Sequence, residues 1–180
     1  FYVIASIVTL EESYIYLTSL EVKQYNNEMR SVFYIFAAVN LLTIAGVSKL
    51  MNVKGIGRKG TLYLIALGIF CTILVKIIYE IFTFEKNSTL MIALYLIKRN
   101  FVWNLLCPVH TFANESFSSK NRVLLYGLGY SFSKAISQLM PFVYEYGMEY
   151  LDQIGWGISV LLALAVYQAE ETAGKQLVDI

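Results

Sequence analysis

Charged side chains are scarce in this chain. They make up 15% of its 180 residues, against about 25% in soluble domains. There is one histidine and there are two cysteines. With no Cys/His cluster, a metal centre is not expected, and no cofactor is called for. Cys71 and Cys107 lie inside apolar runs and read as small buried residues rather than a disulfide. The formal net charge is only +1, which argues against nucleic acid as a partner. The sequence has no Gly-rich phosphate loop after a strand and no nucleophile elbow. Glu11 and Glu12 are adjacent, so on a helix they point about 100° apart and make a poor acid–base pair. No enzyme is expected. No basic segment or small-residue cleavage site precedes the first apolar run, and the start at Phe1 reads as cut, processed or simply not recorded.

What is abundant is apolar. Hydrophobic residues make up 57% of the chain, and the mean hydropathy is +0.57. The charges cluster, leaving apolar runs of about 20 residues, the length that crosses a bilayer as helix. Six spans are predicted: Phe1 to Leu20, Ser31 to Met51, Thr61 to Phe84, Thr89 to Phe112, Val123 to Tyr146, and Ile154 to Ala169, the last beginning a little earlier. The runs do not alternate apolar with polar residues, which excludes a membrane β-barrel. An open strand in lipid would leave its backbone unpaired, so every span should be helical. The fold class is all-α, a polytopic bundle of six transmembrane helices forming one domain over residues 1–180, with the lipid bilayer as its first partner.

The loops set an orientation. One side would hold Lys49, Lys54, Arg58, Lys59, Lys120, Arg122 and Lys175. The other would hold Lys23, Arg30 and Lys86. The richer side is expected inside, with both chain ends there. The loop carrying Glu145, Glu149 and Asp152 has no basic residue and suits the outside. The organelle stays open, with plasma membrane and mitochondrial inner membrane both compatible.

Four stretches stand at helix boundaries in a particular order. Asn52-Val53-Lys54-Gly55-Ile56-Gly57-Arg58-Lys59 is similar to a D-x-x-G-R-R/K loop without its acidic residue. Glu115 with Phe117 and Arg122 resembles E-x-F-P-T-x-x-R, with Ser118 for Pro. Lys134 and Pro141 follow on the fifth span. Glu170-Glu171-Thr172-Ala173-Gly174-Lys175-Gln176-Leu177 is similar to P-E-T-x-G-K-x-L, with Glu170 for Pro. Together they resemble the C-terminal half of a major facilitator superfamily transporter, in its organic-ion and sugar-porter-like branches.

The resemblance implies a carrier of small organic ions working by alternating access, completed by a second six-helix half. It implies a gating charge cluster of Arg58, Glu115, Arg122 and Glu171 at the inner surface. Lys134, inside the fifth span beside Gly127, Gly129, Ser131, Ser133 and Ser137, would meet an anionic substrate group. Its alternative is a salt bridge to Glu11 or Glu12. Arg99 is a second substrate-binding candidate, while Lys98 could reach the outer interface. Lys76 and Glu80, four apart on one helical face, are expected to pair. His110 is a candidate proton-coupling group. Tyr14, Tyr16, Phe101, Trp103, Tyr126, Tyr130 and Trp156 could line a cavity or simply pack. A different reading is a degenerate transporter half serving as a structural or accessory subunit of a larger membrane complex. The departures at Asn52, Ser118 and Glu170 favour it, and the size of the parent polypeptide separates the two.

Overall fold

The computed structural model describes residues 1–21, 30–82, 88–118, 120–147 and 150–172. The described residues are all-α, with no strand among them. Eight helices follow in order: α1 Tyr2–Glu21, α2 Arg30–Leu50, α3 Gly57–Phe82, α4 Ser88–Asn104, α5 Leu106–Ser116, α6 Arg122–Ser137, α7 Met140–Tyr146 and α8 Leu151–Gln168. They make six rods, because α4 runs into α5 and α6 into α7. Four stretches are long and apolar enough to cross a membrane: Tyr2–Leu20, Gly57–Phe82, Thr89–Ser116 and Leu151–Gln168. The second expected span has a shorter apolar stretch, Phe36–Leu50, and the fifth is divided between α6 and α7.

Proline explains both divided rods. A proline ring collides with the carbonyl four residues back and offers it no N–H. Four residues before Pro108 is Asn104, the last residue of α4; four before Pro141 is Ser137, the last of α6. At each break the backbone tightens to bonds three residues apart. Leu105 N–H donates to the Val102 carbonyl at 3.1 Å, and Leu139 N–H to Ile136 at 2.9 Å.

The core follows helical spacing. α3 buries Leu62, Ile65, Ala66, Ile69 and Ile73, against Val102, Leu105, Val109 and Phe112 of the α4–α5 rod and Leu162 and Val166 of α8. Small residues set the closest approaches. α6 buries Gly129, Ser133 and Ser137, spaced four apart, and packs on α1. Gly155 of α8 lies against the fully buried Tyr14 of α1, where a Cβ would come 3.0 Å from the phenol oxygen. The outer faces are apolar as well: Leu64, Leu67, Val75, Ile78 and Ile81 of α3 are exposed, as are Val123, Leu124, Leu128 and Phe132 of α6.

The α2–α3 turn needs glycine. Gly55 and Gly57 adopt φ of +96° and +64°, a region that disfavours side chains. Their turn aims Arg58 and Lys59, in the first turn of α3, back toward the end of α5 and the chain beyond α8.

Candidate functional site: a buried charged cluster and an ionic tie

Midway along α1, Glu11 and Glu12 face α6 and α5. The Glu12 carboxylate accepts a hydrogen bond from the Lys134 ammonium at 2.6 Å. Glu12 is buried, whereas the Lys134 side chain is 48% exposed. The ammonium also lies 5.1 Å from the centre of the Tyr130 ring, a distance at which a cation is attracted to a ring face. Tyr130 stacks on Tyr126, and the Tyr126 hydroxyl is 2.7 Å from His110 Nδ1. The other ring nitrogen, Nε2, lies 4.0 Å from the Glu11 carboxylate. That is beyond hydrogen-bond length. Glu11 is fully buried, and neither of its oxygens has a hydrogen-bond partner among the described residues. Three helices thus bring two carboxylates, an ammonium, an imidazole and two phenols together, with one side open at Lys134.

At one end of the bundle a second set of charges joins three chain segments. Arg58 donates to Glu115 at 2.9 Å, tying the start of α3 to the end of α5. The same guanidinium donates to the Met51 carbonyl. Glu171 accepts the backbone N–H groups of Arg58 and Lys59 at 3.2 and 3.1 Å, so this carboxylate caps the α3 N-terminus. Such a cap satisfies free N–H groups and complements the helix dipole. The Thr172 hydroxyl donates to the second Glu115 oxygen at 2.9 Å. Lys59 reaches the Tyr167 and Ala169 carbonyls. Arg122 stands beside this set and donates to the Phe117 carbonyl of its own loop at 3.3–3.4 Å. Of the four residues grouped from the sequence, Arg58, Glu115 and Glu171 share one network, and Arg122 braces the neighbouring turn.

At the opposite end, Asp152 in the first turn of α8 takes Lys76 of α3, and Lys98 of α4 stands 3.6 Å away. Lys98 is only 3% exposed, so it points into the bundle rather than to an outer interface. Lys76 bridges to another helix, a partner that the in-helix Glu80 pairing did not anticipate. Arg99 lies against Phe36 of α2, 5.9 Å from its ring centre, and Lys134 works between α1 and α6. Tyr126 and Tyr130 belong to the charged cluster. Tyr14 is core, and Trp156 packs on Phe70. Residues 173–180, with Lys175, and Lys23, Lys86 and Glu149 fall outside the described residues.

The sequence offered Glu11, with Glu12, only as a possible salt-bridge partner of Lys134, and did not group it with His110. Its partners sit on helices far away in the chain, and only the packing of α1 on α5 and α6 assembles them. Compared against protein-family models and against curated proteins, the chain matches none.

Proposed function

We propose that the chain is a membrane-embedded, transporter-like helical bundle, one half of a major-facilitator-like carrier of small organic ions. The membrane part follows from the outer faces. Helices that are apolar all round belong in a protein core or in lipid, and a monomer in water rarely exposes so much contiguous apolar surface. The carrier part rests on one observation, the Glu12–Lys134 pair half-way along two rods and open on one side. A charge at such depth costs roughly 2.5–3.5 kcal/mol on insertion scales and usually marks a pathway or a partner. Lys134 would meet an anionic substrate group in competition with Glu12. The Arg58–Glu115–Glu171 tie would hold the inner end closed in one state, and a network that breaks in the other state biases the equilibrium between them. Arg122 would support that tie through its loop.

The test is uptake of small carboxylates by vesicles carrying the full-length protein. Lys134→Ala should abolish uptake while the protein still folds. Uptake equal to wild type in that variant would remove Lys134 from the path.

One observation favours the second reading, an accessory subunit of a larger membrane complex. Lys134 is already neutralised by Glu12 and needs no ligand. In that case vesicles show no uptake above background for wild type or variant, and Lys134→Ala weakens assembly instead.

A further inference from the structure

The Glu11 carboxylate poses a physical problem that neither reading uses. A buried ionised group without partners is costly, and native buried polar atoms nearly always find one. One donor atom each from Glu11, Glu12 and His110 lie within 4.8 Å of one another. We propose that Glu11, Glu12 and His110 bind a divalent transition-metal ion, with Zn²⁺ the best match.

The donor set fits. Zn²⁺ takes imidazole nitrogen and carboxylate oxygen, and three protein ligands with one open position is its usual non-structural arrangement. Ligands about 2.1 Å from one tetrahedral ion sit roughly 3.4 Å apart, so the site closes by shifts on the order of 1 Å. Side-chain rotations of two glutamates supply such shifts. The 4.0 Å gap between Glu11 and His110 Nε2 is too long for a hydrogen bond and close to the spacing of two ligands on one ion. Outer groups are in place. Tyr126 holds Nδ1; with the proton on Nδ1, the Nε2 lone pair faces Glu11. Metal-bound histidines are commonly oriented through their other nitrogen, and ligating carboxylates through a further hydrogen bond, here from Lys134 to Glu12.

With both carboxylates ionised, the single Lys134 ammonium leaves the cluster one unit negative, and a divalent ion would supply the missing positive charge. The exposed Lys134 flank is the route by which an ion would enter.

Composition argued against a metal centre because it counts Cys and His. Here carboxylates supply two of three ligands.

The experiment is a Co²⁺ titration of the folded full-length protein in detergent, followed by visible absorption and by Zn²⁺ competition. It needs no transport, so it succeeds or fails independently of the carrier reading. Expected is a saturable tetrahedral Co²⁺ band that Zn²⁺ displaces. Glu11→Gln and His110→Ala should each abolish it. Tyr126→Phe should weaken binding by about 10-fold or more. Cys71→Ser, at an exposed position on α3, should leave it unchanged. If Glu11→Gln fails to fold, His110→Ala and Tyr126→Phe decide alone. Absence of a band in wild type overturns the proposal and leaves Glu11 to hold a proton. A band that survives both ligand variants overturns it too, by placing the metal elsewhere.

Discussion

The Glu12 carboxylate is buried, and the ammonium that neutralises it is half exposed. Removing one partner of a fully buried pair costs about 3–5 kcal/mol; exposed pairs contribute about 0–1 kcal/mol. This pair lies between, so Lys134→Ala should destabilise by about 1–3 kcal/mol. A double-mutant cycle with Glu12→Gln, read by unfolding in detergent, should give a coupling of about 1–2 kcal/mol. A coupling of zero would mean that the two charges do not sense each other. Arg58→Ala and Glu115→Gln should likewise be non-additive, since each breaks the same 2.9 Å contact. Limited proteolysis in the turn around Gly55 should then speed up to the same extent in the single and double variants. Glu12 was one of the carboxylates that the sequence offered to Lys134, since a lone cation in an apolar run demands a partner. Asp152 was not offered to Lys76. A single sequence displays neighbours on one helix, such as Glu80, and hides those that only packing brings near.

Among the elements, the two prolines act at the residue four places earlier, and each should be a removable kink. Pro141→Ala restores an N–H that can reach the Ser137 carbonyl, so α6 and α7 should fuse into one straight helix. Spin labels at Val123 and Tyr146 would read a longer mean separation. An unchanged distance would show that packing on α1, rather than Pro141, bends the rod. Helix existence was legible from apolar run length, because backbone in an apolar setting has few alternatives to helix. The α4–α5 break was not, since the span from Thr89 to Phe112 is long enough to cross as one helix and run length does not register the hydrogen bond lost at Pro108.

For the whole molecule, the even number of rods puts several chain segments at one end. Phe1 packs on Phe117, while Arg58, Glu115 and Glu171 meet nearby. In a membrane, single cysteines at Asn52 and Ser118 should therefore be labelled from one face, and a cysteine at the exposed Tyr146 from the other. Labelling of Asn52 and Tyr146 from the same face would sink the bilayer topology. The basic bias of the loops gives the expectation that the Arg58 end is inside, and the labelling reads it directly. Which rods touch could not be read, since nearly every helix is apolar on all sides and gives no stripe to follow.

Asp152 and the Arg58 tie have a joint consequence. Each anchors α3 to the α8 segment and to the α4–α5 rod, at opposite ends of the same three rods. A frame braced at both ends resists shear: sliding α3 by one turn, about 5.4 Å, would have to rupture both braces together. The trio should behave as a girder, its backbone amides exchanging with deuterium in one slow class. Asp152→Asn should release one brace and let the nearby ends of α3 and α8 exchange faster, while the Arg58 end keeps its rate.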